Sequence, residues 1–254
     1  MRHIFILFLC SFLITPLFAQ STKLVVRAKA KDAKFIGSSV GGALILVKNA
    51  DTGEILAQGL TTGSTGNTGL IMSTPRKRYT QLADERTAKF EIELDLAEPT
   101  FVTVEAHAPY TKRGSRTVAS KQVWLIPGKD MDGDGVILEI PGFIIDILEP
   151  QTHRSLSMPD LDSGFLTVRA NMVMMCGCTI SDGGLWDGSK MEVRAIIKRD
   201  GQKLGQYPMQ ITDTANIFEG NIPLTEPGNH EIIIYAYDPR TKNTGVAKVN
   251  FILD

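Results

Sequence analysis

Apolar and polar residues alternate along most of this chain, and a helix-like spacing of apolar positions is almost absent. Residues 23–29 (KLVVRAK), 43–48 (ALILVK) and 55–59 (ILAQG) are short β-branched-rich runs bounded by Gly, Asn, Asp and Thr. Asp51-Thr52-Gly53 between the second and third is a hairpin signal. A polar stretch over 61–88 follows, and strands are predicted again at 89–95, 101–107, 118–126, 136–140 and 143–148. The segment 149–160 (EPQTHRSLSMPD) is polar, carries Pro150 and Pro159, and lacks periodicity, which marks a linker. Beyond it, 165–175, 191–198, 203–210, 217–224, 230–238 and 245–253 read as further strands. The pattern predicts an all-β chain of two tandem β-sandwich domains, 20–148 and 161–254, joined by the linker 149–160.

The first nineteen residues read differently. Arg2 and His3 precede an apolar run from Ile4 to Leu13, Pro16 breaks it, and Ala19 offers a small residue for cleavage before Gln20. Residues 1–19 are therefore expected to be a secretory signal peptide, too short to span a bilayer. An alternative makes Cys10 a lipid anchor. No later stretch approaches membrane length, so no integral membrane segment is expected in the mature chain. It is expected to be periplasmic or extracellular.

Composition narrows the class. Of 254 residues, 43% are hydrophobic and 22% charged, with 23 Gly and 12 Pro, which excludes a disordered or collagen-like chain. A formal net charge of −1 gives no electrostatic case for a nucleic-acid partner. Cleavage after Ala19 removes one of the 3 Cys and leaves the pair Cys176 and Cys178.

Residues 23–60, with an initial strand, then A-L-I-L-V, then D-T-G-E-I-L-A-Q-G, resemble the opening of transthyretin-like or carboxypeptidase-regulatory-like domains. Residues 161–254 resemble bacterial immunoglobulin-like domains. The residues that carry this are Pro227-Gly228 before a strand, I-I-I-Y-A-Y-D-P, and K-N-T-G-V before the last strand. Such resemblances imply adhesion, spacing or ligand display rather than a defined chemistry.

The most unusual residues lie in the second half. On a strand over 165–175, Leu166, Val168, Ala170, Met172 and Met174 share one apolar face. Continued strand geometry would add Cys176 and Cys178 to it. Met191 opens the next strand on the corresponding face. These residues are expected at one pole of the domain, with the Gly-rich loop 179–190 and its Trp186. The linker is expected to bring His153 and Met158 to the same pole, and His230 belongs at the opposite one. Three readings stay open. Export favours a Cys176–Cys178 disulfide, although two residues of extended strand span about 6.6 Å, so Gly177 must turn the chain. Cys176, Cys178, Met174 and Met191 could instead form a soft-metal site for copper. The third reading is two buried free thiols.

Asp130, Asp132 and Asp134 in D-x-D-x-D-G form half of an oxygen-ligand calcium loop. An EF-hand would place its bidentate Glu where Pro141 stands, so the choice is between a looser calcium loop and an acidic turn. Arg76-Lys77-Arg78-Tyr79 reads as a solvated loop or a contact for an anionic surface polymer. Trp124 is expected in the core and Trp186 as an exposed binding aromatic. His107, His153 and His230 are scattered, and neither G-x-S-x-G nor H-E-x-x-H occurs, so no enzyme is expected. The leading expectation is an exported, non-enzymatic binding or assembly module whose working surface is the Cys-bearing pole. Its partner would be another cell-envelope protein. The alternative is a structural or adhesive cell-envelope sandwich, stabilised by calcium.

Overall fold

A computed structural model describes residues 19–254. The signal peptide expected over 1–19, with Cys10, lies outside the described residues apart from Ala19.

The alternation expected of strands is realised almost run for run. In the first half, β1 (Gln20–Ala30), β4 (Phe90–Leu96) and β7 (Met131–Ile140) form a three-stranded sheet in the order β4-β1-β7. β2 (Leu44–Asn49), β3 (Ile55–Leu60), β5 (Thr100–Ala108) and β6 (Thr117–Leu125) form a four-stranded sheet in the order β3-β2-β5-β6. Leu24, Val26 and Ala28 of the first sheet and Ile45, Val47, Val102 and Val104 of the second are buried in the core.

The second half contains β8 (Phe143–Glu149), β9 (Ser155–Leu156), β10 (Phe165–Met174), β11 (Glu192–Arg199), β12 (Gln202–Pro208), β13 (Gln210–Ile211), β14 (Ile217–Pro223), β15 (Gly228–Tyr237) and β16 (Thr244–Leu253). Its sheets run β13-β14-β10-β8 and β12-β11-β15-β16-β9. The first strand splits, β8 pairing antiparallel with β10 and β9 parallel with β16. This is the strand order of an immunoglobulin-type sandwich.

Two expectations change here. The strand over 143–148 was expected in the first sandwich, but it pairs with β10 from Phe143 opposite Met174 to Glu149 opposite Arg169. The pairing thus places the changeover between sandwiches at Pro141-Gly142. The segment 149–160 is not a free linker: it carries β9 and a short 3-10 turn at Met158–Asp160, capped by Ser157 and Asp160. The second change concerns Asp130, Asp132 and Asp134. Leu24 pairs with Met131 and Val26 with Val136, so residues 132–135 bulge out of β7. Gly135 has a left-handed φ of 61°, and a Cβ there would lie 2.1 Å from the Val25 carbonyl oxygen.

The bulge anchors the long connection 61–88. The Asp134 carboxylate accepts the backbone N–H groups of Leu82 and Ala83 at 2.9–3.0 Å. Asp130 accepts the N–H of Lys23 at 2.9 Å. Asp130 and Asp134 are thus engaged on separate backbone groups rather than converging on a cation. Among the described residues no group of three His, Cys, Asp or Glu is placed to hold a metal ion. Beside the bulge, Arg27 is buried and donates to the carbonyls of Thr87, Ala88 and Gly133. An Asp134→Ala substitution orphans two amides. It is expected to cost about 1–3 kcal/mol in urea unfolding and to speed tryptic cleavage at Arg76–Arg78, whereas Asp132→Ala changes neither.

Candidate functional site

The chain leaves β10 at Met174 and turns at once. The N–H of Gly177 donates to the Met174 carbonyl at 2.7 Å, and the N–H of Met174 donates to the Cys178 carbonyl at 3.1 Å. Gly177 sits at φ 76°, the left-handed region that a glycine enters without strain. The turn brings the Cα atoms of Cys176 and Cys178 to 5.4 Å, and the two are joined by a disulfide. Of the three readings of the pair, this structure carries the bridge. The soft-metal set of Cys176, Cys178, Met174 and Met191 is not realised in it, since neither bridged sulfur is a thiolate ligand. All four side chains are buried in the core.

The loop that follows is built around Asp187. Its carboxylate accepts the hydroxyl and N–H of Ser189 and the N–H of Gly183, and the Ser189 hydroxyl bond leads in holding its pKa below the ordinary value. Ser181 and Trp186 close the loop through backbone hydrogen bonds. Trp186 is 7% exposed, so it is not the exposed aromatic expected; its indole N–H donates to the Asp32 carbonyl in the first domain at 2.8 Å. Trp124, expected in the core, is 57% exposed and stacks on Phe101 with ring centroids 4.8 Å apart. The two rings exchange roles because β6 is the edge strand of its sheet and Trp124 lies on its outer face.

The pole bearing the disulfide is therefore the domain junction. A Cβ on Gly177 would lie 2.6 Å from Val40 of the first domain, so the Cys176–Cys178 turn rests directly on that domain. Asn243, fully buried, spans the junction: its side-chain N–H donates to the Lys31 carbonyl at 3.1 Å and its oxygen accepts the Gly142 N–H at 3.0 Å. Asp238 holds the loop that presents it. Burial opposes ionisation of that carboxyl, but bonds from Arg240 and Thr241 outweigh it and lower its pKa.

His153 and Met158 do not join this pole. Because β8 starts at the junction and runs away from it, the segment after β8 lies at the far end. There the His153 N–H donates to the Asn250 carbonyl at 2.7 Å and that of Met158 to the Asp254 carbonyl at 3.3 Å. His153 lines a shallow cavity with Asp200, Asn229 and the buried His230, which is at the far pole as expected. His230 stacks on Phe251, and its Nδ1 is 3.0 Å from the Gly228 carbonyl.

The residues that sequence reasoning missed are Arg27, Asn243 and the carbonyls of Lys31 and Asp32. Arg27 had a signal, a lone cation inside an otherwise apolar strand segment; the others had none.

No protein-family model matches the chain, and no curated protein matches it. Solved structures with likeness to it include an engineered protein at 11% identity, covering 48% of this chain and 22% of that one, TM-score 0.33. Fibronectin(III)-like modules of Clostridium thermocellum CbhA share 13% identity over 92% of this chain and 94% of theirs, TM-score 0.27. Drosophila N-cadherin EC1-4 shares 10% over 93% of this chain and 51% of its own, TM-score 0.31. The chain thus spans about a fifth of the first and half of the last. At these scores the likenesses add no argument to the strand pairing, which itself defines the β-sandwich fold. No helix among the described residues is long and apolar enough to cross a membrane.

Two expectations follow. Trp186→Ala should cost about 3–5 kcal/mol and Trp186→Phe, which removes the hydrogen bond and part of the ring, less. Burial pushes the His230 pKa below its ordinary 6.5. The unfolded chain therefore binds this proton at a pH where the native chain does not. The stabilisation is full above the unfolded value and is lost as pH falls through it toward the native pKa. Melting temperature should drop between about pH 7.5 and 5.5, and His230→Gln should flatten that slope.

Proposed function

We propose that this chain is an exported, non-catalytic structural or adhesive module of the cell envelope, in which two β-sandwiches act as one rigid arm. The observation that carries the reading is the buried Trp186 indole donating across the junction to Asp32. The most unusual residues of the second domain serve docking: the Cys176–Cys178 turn rests on Val40, and Asn243 grips Lys31. A catalytic or metal-binding pole would instead leave these groups open to a ligand. The disulfide acts as a local staple of the turn. Its closed loop is too small to remove much unfolded-state entropy, so Cys176→Ser with Cys178→Ser should cost at most about 2 kcal/mol.

X-ray scattering of residues 20–254 tests the arm. The account expects one narrow distribution of interatomic distances for the native chain and a broader, longer one for Trp186→Ala. A native chain that scatters as two freely jointed domains contradicts it. Copper(I) titration against a competing chelator, under reducing conditions, tests the metal alternative. Tight binding abolished by the double Cys→Ser variant would replace the docking role of the turn with a soft-metal site.

A further inference from the structure

The connection 61–88 is held at both ends and bare in the middle. On one side Asp134 and Arg27 bind residues 82, 83, 87 and 88 to the sheet. On the other, the π-helical turn Gly69–Ser73 is closed by the N–H and hydroxyl of Thr74 on the Gly69 carbonyl. Every residue from Ser73 to Gln81 is exposed. This tip carries Arg76, Lys77 and Arg78 and no acid, in a chain whose overall charge is slightly negative. Among the described residues, none of the three has a carboxylate within ion-pair distance, while other surface cations such as Lys48, Lys112 and Arg154 do.

Tyr79 completes the tip. It sits at φ 66°, an unusual conformation for a bulky residue, and its side chain is 87% exposed, the most of any large hydrophobic side chain described. The Arg78 guanidinium lies 4.8 Å from the ring centroid. Strain at an exposed aromatic between anchored ends points to a use for the ring outside the fold. Lys29 of β1 lies within electrostatic reach of Arg76; burial is the main cause that lowers its pKa, Glu139 opposes it, and Arg76 adds to it in smaller measure.

We propose that the tip Thr74–Thr80 is a peripheral contact for an anionic lipid bilayer, with Arg76, Lys77 and Arg78 on headgroup phosphates and Tyr79 at headgroup level. Charge and the exposed ring select this occupant: an anionic bilayer takes the three cations of the tip on its phosphates and the 87% exposed Tyr79 ring at headgroup level together. The residue types agree: tyrosine is enriched at membrane interfaces and basic clusters are drawn to anionic leaflets. The proposal stands on residues other than those that make the junction bonds, so either reading can fail without the other.

Co-sedimentation of residues 20–254 with vesicles tests it. Vesicles of phosphatidylcholine with phosphatidylglycerol should bind the protein at low salt, and vesicles of phosphatidylcholine alone should not. High salt should release it. Replacing Arg76, Lys77 and Arg78 with Ser should weaken binding at least about tenfold. Tyr79→Ser should weaken it severalfold while preserving the salt response, and unchanged circular dichroism should show that both variants fold. No binding to anionic vesicles, equal binding to both vesicle types, or full binding by the triple variant overturns the proposal. So does binding to soluble alginate without binding to vesicles, which would assign the tip to an anionic polymer.

Discussion

Trp186 is the largest side chain in the loop between β10 and β11, and a buried indole needs an acceptor for its N–H. It finds one in the carbonyl of Asp32, in the turn that ends β1 of the other domain. The neighbouring carbonyl, Lys31, takes the Asn243 side chain, and the Lys31 N–H donates to Ile140 at the end of β7. One short turn of the first sandwich is thereby bound to its own last strand and to two loops of the second. The features that look most like chemistry in the sequence, the Met-Met-Cys-Gly-Cys run and the Gly-rich Trp loop, sit where the two domains meet. Their composition follows from that place: a glycine to let Val40 approach, a disulfide to hold the turn, an aromatic to fill the seam.

The first domain solves a different problem with the same economy. A long polar connection gains little from apolar burial, so it has to be held by directed bonds. Asp134 supplies acceptors for two backbone amides, and Arg27 supplies donors for three carbonyls. The D-x-D-x-D-G run is consequently a bulge in a strand. Its glycines take left-handed φ, Gly135 lets β7 close on β1, and Asp130 and Asp134 accept from separate backbone segments.

The strands were legible because period-two alternation is a local property, and each predicted run corresponds to an observed one. Which strand pairs with which is not local. The run F-I-I-D-I-L suits either sandwich, and only Pro141-Gly142 hinted that the chain changes domain before it. That single misplacement carried His153 and Met158 to the wrong pole, because it reversed the direction from which their segment arrives. The exchange of roles between the tryptophans has a related cause. Alternation shows that Trp124 and Leu125 face opposite ways but not which face is covered, and a loop shows nothing of the surface it will meet. Backbone carbonyls such as Asp32 carry no sequence signature at all, so a site completed by them is visible only in three dimensions.

The two indoles also provide the sharpest test of the junction, since the sequence contains 2 Trp. Hydrogen exchange of the indole N–H groups, followed by NMR with each resonance assigned through a Trp→Phe variant, reads the cross-domain bond itself. The account predicts a slowly exchanging N–H for Trp186 beside a fast one for Trp124. Equally fast exchange at both would mean that the Trp186 N–H is open to water, and the two sandwiches would then not be joined as described.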